Sequence, residues 1–210
     1  MLLFSFKVVT MYYKHGSARY LDRLLRRPEL SQYNNIKTRL QLSVDYIKII
    51  DYLHNSPIGV RVMCDGRELF RLLSQYLITD DFHMVVNDVD SLEEVTKDRG
   101  CEKRPNVSHS VEKEIERQRW QKGSKSLPFN FGPAYDEKID IWKLPWIVES
   151  LLGGVKGSSF VKSQLREIME WCHAIDPQQR PTAKEVLQEL LRVQQLIVRN
   201  STYIYWSFLV

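Results

Sequence analysis

A chain of 210 residues, 43% of them hydrophobic, is long enough for one domain of ordinary size with a sizeable core, or for a large piece of a bigger protein. Its 30 lysines and arginines against 26 aspartates and glutamates leave a net charge of +4, and no basic run is interleaved with aromatics as single-strand binders require, so nucleic acid is not an expected partner. Neither apolar end, MLLFSF or YIYWSFLV, approaches the ~18 residues needed to cross a bilayer, and Lys7 interrupts the first too early for a secretory leader. Cys64, Cys101 and Cys172 are too widely spaced for a zinc or redox motif and read as buried thiols. Asn106-Val107-Ser108 and Asn200-Ser201-Thr202 are glycosylation acceptors only in a secretory chain.

Residues 7–13, KVVTMYY, predict a strand, and His15-Gly16-Ser17 breaks it ahead of a short apolar-patterned helix ending near Arg27-Pro28. Over residues 36–53, Leu40, Leu42, Val44, Ile47, Ile50 and Leu53 recur at helical spacing behind a basic first half, which predicts one long core helix stopped by residues 55–59. Apolar runs at 60–63 and 83–86 predict two short strands, each followed by a polar stop, at Asp65 and at Asn87-Asp88. A carboxylate so placed either begins a solvated turn or is held at the mouth of a core for chemistry. Residues 92–131 turn polar and predict a surface segment with one exposed helix at 111–120. Asp140 opens the apolar run through Ile141, Trp142, Leu144 and Trp146 to Leu152, closed by Gly153-Gly154, so a largely buried helix is predicted despite Pro145. Residues 160–173 and 183–198 predict two amphipathic helices, the second introduced by the cap-like Arg180-Pro181-Thr182. Trp142, Trp146 and Trp171 read as core, and no internal repeat is visible.

Taken together, a strand and turn, a long helix ending in Tyr52-Leu53-His54, Asp65 after a strand, Asp88 23 residues on, a polar segment, Asp140-Ile141-Trp142 and Asp176-Pro177-x-x-Arg180-Pro181-Thr182 resemble the C-terminal lobe of the protein-kinase fold. The expected fold class is mainly α: the helical C-terminal lobe with a few short β-strands, the N-terminal lobe being absent. Its organisation would be a hinge-leading strand and hinge at 1–13, the lobe at 14–200 and a tail at 201–210. The stretches SPIGVRVMCD, LSQYLITDDF, NDVD and YDEKIDIWKLP are similar to one family, the protein O-mannose kinases, which phosphorylate a mannose hydroxyl within an O-linked glycan on dystroglycan-type proteins. Ordinary kinases have His-Arg-Asp in the catalytic loop, Asp-Phe-Gly at the metal and an Asn five positions after the loop Asp; here stand Met63-Cys64-Asp65, Asp88-Val89-Asp90 and, ten positions on, Gln75. Met63-Cys64 also disfavours a remnant of a conventional Ser/Thr kinase.

The resemblance implies a role for each of these residues. Asp65 would orient and deprotonate the attacking sugar hydroxyl, and Asp88, with Gln75 and Asp90, would hold Mg²⁺ by hard oxygen ligands against the phosphates of ATP. Met11, Tyr12 and Tyr13 at the hinge, and Gln75, would contact the nucleotide. Asp140 would accept hydrogen bonds from catalytic-loop amides, and Arg180 would be buried and paired with Glu114 or Glu116. Without the loop arginine, control by a phosphorylated activation segment is not expected. The two strands before Asp65 and Asp88 are expected to pair and to set those carboxylates across a cleft, and the first strand to leave Val8 and Val9 on an open edge. The implied partner is an O-mannosyl glycan on a glycoprotein such as dystroglycan, the implied location the lumen of the endoplasmic reticulum or Golgi, and any membrane contact would be made by a segment outside these residues. In that oxidising compartment a Cys64–Cys101 bridge is the implied alternative to separate thiols. This chain carries no Gly-rich phosphate loop, strand lysine or helix glutamate, and no Ala-Pro-Glu is recognisable in SVEKEIERQRW. Turnover by these residues alone is therefore not expected, and the alternative is a pseudokinase or interaction module built on the same lobe.

Overall fold

A computed structural model describes residues 15–63, 69–87, 89, 92–96 and 136–207, the side chains of Glu93 and of residues 200–207 excepted. The architecture is mainly α, with a few short strands, in the order expected of the helical lobe. The chain enters through a 3₁₀ turn, Ala18–Tyr20, into α1, Leu21–Leu25, which buries Leu21, Leu24 and Leu25. Pro28, with its φ already fixed, opens a second 3₁₀ turn, Pro28–Tyr33. The long predicted helix is α2, Ile36–His54; Asn35 caps it by accepting a hydrogen bond from Thr38 N at 3.1 Å. α2 is buried on nearly every side through Leu40, Leu42, Val44, Tyr46, Ile47, Ile50 and Leu53, because it is the element around which the others pack.

Two of the short strands appear where the apolar runs place them, as β1, Arg61–Met63, and β3, Met84–Val86. They do not pair with each other. β1 pairs antiparallel with β4, Leu92–Glu94, with Val62 opposite Glu93, and β3 pairs antiparallel with β2, Tyr76–Ile78, with Val85 opposite Leu77. The expected pairing fails because both partner strands are only three residues long and their sequences, YLI and LEE, carry too short an alternation to be read as strands. α3, Leu69–Ser74, leads directly into β2.

The last three helices follow the predicted pattern. α4, Lys138–Leu152, is buried from Ile139 through Leu144 and again at Ile147, Val148, Leu151 and Leu152, with Pro145 inside it. α5 spans Ser158–Cys172 and α6 spans Ala183–Ser207, so the last helix runs on beyond residue 198 into the stretch expected to be a tail. Thr182 and Glu185 form a capping box at its start: Glu185 N donates to Thr182 Oγ1, while Thr182 N donates to Glu185 Oε2 at 2.7 Å. Trp142 is buried, Trp146 is half-buried, and Trp171 departs from the core reading, being 57% exposed on α5.

One arginine ties these elements together. Arg39 is 3% exposed; its Nη1 donates to Leu151 O at the end of α4 (2.9 Å), its Nη2 to Asp22 Oδ1 of α1 (2.6 Å) and its Nε to Asn34 Oδ1 (2.9 Å). Gly153, at φ +58°, closes α4 beside this guanidinium. Cys172 is a buried free thiol whose pKa burial pushes up to about 12. Among the described residues no helix is long and apolar enough to cross a membrane. The predicted strand at 7–13 with Val8 and Val9, the predicted helix at 111–120 and the pair Cys64 and Cys101 lie outside the described residues.

Candidate active site

α2 delivers the chain to the site. It ends at His54 with Asn55 as cap, and the following loop turns at Gly59, φ +99°, where a Cβ would come within 2.7 Å of Glu94 Oε1. The positive φ is what favours glycine there, since the side chain of Glu94 could move aside. β1 then runs inward: Val62 and Met63 are wholly buried, and Val62 packs with Ile139 and Trp142 from the first turns of α4. The strand that leads to Asp65 is thereby anchored on the helix that carries Asp140. Asp65 itself lies outside the described residues.

Asp140 is 1% exposed. Its Oδ2 lies 3.4 Å from His54 Nε2 and its Oδ1 3.3 Å from Lys143 Nζ. Burial works to raise its pKa, but the neighbouring Lys143 charge, joined by the hydrogen bond and charge of His54, outweighs it and holds the carboxyl below its ordinary value. The field of that carboxylate reaches Tyr46 of α2 and Tyr76 of β2, whose rings are 4.9 Å apart in the core. Burial first, and Asp140 in addition, pushes both phenols above their ordinary range. The region beneath the end of β1 is therefore an ionised carboxylate between a histidine and a lysine, closed off from water.

The second limb is built by the β2–β3 hairpin. Gln75 ends α3, donating its backbone N–H to Leu72 O, and accepts from Asn87 N at 2.8 Å, so the hairpin sets Gln75 directly across from the residue that precedes Asp88. Gln75 is 8% exposed, and its side-chain amide makes no hydrogen bond among the described residues. The side-chain carbonyl oxygen of Gln75 is a hard donor of the type that a divalent cation takes. Asp88 and Asp90, like Met11, Tyr12 and Tyr13, lie outside the described residues. Among the described residues no cluster of His, Cys, Asp and Glu could hold a metal.

Arg180 is buried as expected, at 2% exposure. Its Nε donates to Ala174 O (3.0 Å) and its Nη1 to Lys138 O (3.1 Å), and Lys138 Nζ returns a bond to Arg180 O at 2.9 Å. Burial lowers its pKa to about 10, which leaves it charged at neutral pH. Glu114 and Glu116, the acids expected beside it, lie outside the described residues. Two site residues escape a reading of the sequence. His54 reads only as a helix end, and Lys143 is hidden in the apolar run IDIWKLP; the signal that finds it is its place three residues after an aspartate on a buried helix.

No protein-family model matches the chain. It is 40% identical over 201 residues to the protein O-mannose kinase of Xenopus laevis, covering 93% of this chain and 56% of the relative. The protein O-mannose kinase of Gallus gallus is 42% identical over 203 residues, 94% of this chain and 56% of the relative, and that of Homo sapiens 42% over 195 residues, 89% and 54%. The chain spans about half the length of the curated relatives it matches. Over the half of their length that it spans, the chain is a homologue of the protein O-mannose kinases, and its helical architecture is kinase-like.

Proposed function

We propose that these residues form the helical half of an O-mannose kinase-like transferase, which moves the terminal phosphoryl group of ATP to a mannose hydroxyl of an O-linked glycan on a glycoprotein such as dystroglycan. The observation that carries the reading is the pairing of 40–43% identity to such kinases with a hairpin in which Asn87 N donates to Gln75 O, bringing Gln75 beside the residue that precedes Asp88 in the chain. Phosphoryl transfer needs little covalent help and much positioning of charge. Asp65, two residues beyond the end of the strand anchored to α4 in the chain, takes the role of the base, orienting the sugar hydroxyl and accepting its proton. Gln75, Asp88 and Asp90 are the residues that would hold Mg²⁺, which neutralises phosphate charge when bound, and Met11, Tyr12 and Tyr13 take the hinge contacts to the nucleotide. The lumen of the endoplasmic reticulum or Golgi is where such glycans are made, and the reading places the protein there.

The test is phosphate transfer by the full-length protein, with Mg²⁺ and ATP, to an O-mannosyl glycopeptide followed by mass spectrometry. Asp65→Asn and Asp88→Asn should each abolish a mass gain of one phosphate on mannose while leaving the thermal midpoint unchanged. Transfer that survives either substitution, or a wild type that neither binds nucleotide nor transfers phosphate, overturns the reading and leaves the lobe as a binding module.

A further inference from the structure

The hairpin that brings Asn87 to Gln75 has little register of its own. β2, YLI, and β3, MVV, are apolar at every position, so no alternation tells one alignment from the next. Bonds between Thr79 and His83 close the turn, but they close it around Phe82 at φ +60°, a left-handed backbone that a bulky side chain disfavours. Phe82 is buried there against Tyr33 and His15, with ring centroids 4.3 and 4.7 Å away, so the turn stores strain that a shift of β3 would release. β2 is held from outside, since Ile78 N donates to Gly16 O (2.9 Å) and Tyr76 and Ile78 have no exposed surface. β3 is tied by a carboxylate. Asp45, buried on α2, accepts at Oδ2 from both Met84 N (3.2 Å) and His83 Nδ1 (2.7 Å). Its Oδ1 accepts from Gln41 Nε2 (2.7 Å), and Gln41 Oε1 in turn from Gln194 Nε2 of α6 (2.8 Å). Among the described residues no lysine or arginine pairs with Asp45, and no other side chain from outside the hairpin bonds the β3 backbone.

We propose that Asp45 is a positioning residue for phosphoryl transfer: its carboxylate fixes the register of the β2–β3 hairpin and so holds Asn87 across from Gln75. This deepens the reading above and rests on it, because the Mg²⁺ role of Gln75 is what makes the register matter to the reaction. A buried carboxylate is costly unless donors fill its oxygens; the two glutamines fill one oxygen and leave the other aimed at the hairpin. That oxygen grips a side chain and the next backbone N–H together, so it marks a single place along β3. A slip by one residue would turn the β3 side chains to the opposite face, carry Asn87 N away from Gln75 O and strip Asp45 Oδ2 of its donors. The path from α2 to Gln75 is continuous: Asp45 to Met84 N, the β2–β3 ladder, then Asn87 N to Gln75 O at 2.8 Å.

The test uses the full-length protein. Asp45→Leu fills the same space without an acceptor, and hydrogen exchange should show the Asn87 amide losing roughly ten- to a hundredfold of its protection, the range that hydrogen bonds to a charged group span. The Mg²⁺ concentration for half-maximal transfer at saturating ATP should rise by a similar factor, while KM for an O-mannosyl glycopeptide stays unchanged. Asp45→Asn keeps an oxygen for Met84 N once the Gln41 amide turns over, and should restore most of both. His83→Ala removes one of the two hairpin bonds from a largely exposed position, and should give an intermediate loss at Asn87 even where Asp45→Leu folds poorly. Wild-type protection of Asn87 in His83→Ala, or an unchanged Mg²⁺ requirement in a folded Asp45→Leu, overturns the proposal. If the wild type transfers no phosphate, the proposed function fails, and exchange at Asn87 still decides whether Asp45 sets the register: an unmoved amide overturns it.

Discussion

Asp140 carries a charge where burial alone would remove it, and this links the residue to the acid stability of the fold. Its folded pKa lies below the ordinary value of 3.8, so its ionised form contributes stability that is fully present above that value and is lost as pH falls through the folded one. Urea unfolding should therefore show wild type more stable than Asp140→Asn near neutrality, with the gap closing below about pH 4; a gap that holds constant would mean the carboxyl titrates alike in both states. Arg180 makes a complementary case. Its guanidinium serves two backbone carbonyls from different elements, and Arg180→Ala would strand Ala174 O and Lys138 O without their donors. The expected loss is about 1–3 kcal/mol for each stranded carbonyl, read as a clear drop in the urea midpoint. A change within error would show that water replaces both bonds.

At the scale of elements, caps and closures carry the specificity. Thr182→Ala removes the side chain that accepts from Glu185 N at the start of α6 and should cost about 1 kcal/mol, measured by thermal unfolding; Thr182→Ser should cost little. At the other end of α4, a methyl on Gly153 would meet Arg39 Nη1 at 2.5 Å in a left-handed backbone. Gly153→Ala should therefore destabilise by about 1–3 kcal/mol, and the loss should shrink in an Arg39→Met background if the clash is with the guanidinium. Legibility in the sequence follows element length. α2, α4, α5 and the start of α6 are long enough for their apolar period to show, and Gly153 and Thr182 mark ends as their chemistry dictates. β2 and β4 are short and owe their state to partners distant in sequence, so their existence, and with it the pairing of β1 and β3, was not legible. The same limit hid the site's interior: Asp140 was readable as a structural carboxylate, but its contacts to His54 and Lys143 depend on how α2 and α4 meet.

For the whole molecule, the consequence of this design is an uneven distribution of stability. α2 packs against α4, α6, β1 and β3, and its Leu42, Val44, Ile47 and Ile50 have no exposed surface. Its amides can exchange with solvent only when those neighbours separate, which is close to global unfolding. The β1–β4 and β2–β3 ladders are each two strands of three residues, which cannot hold their hydrogen bonds without the helices beneath them. Of the two, β1 has the better footing, since Val62 and Met63 are buried, while β4 presents the exposed Glu94. Hydrogen exchange should accordingly find amides of residues 42–50 protected to the full unfolding free energy, the β2–β3 hairpin less so, and β4 least. Nucleotide with Mg²⁺, bound to the full-length protein, should raise protection first at Gln75 and Asn87, because those two meet beside Asp88 and their opening is local. Uniform protection along α2 and both ladders would instead mean that the strands and helices open as one unit. Protection confined to α2 after nucleotide addition would mean that the hairpin is not the limb that meets the phosphates.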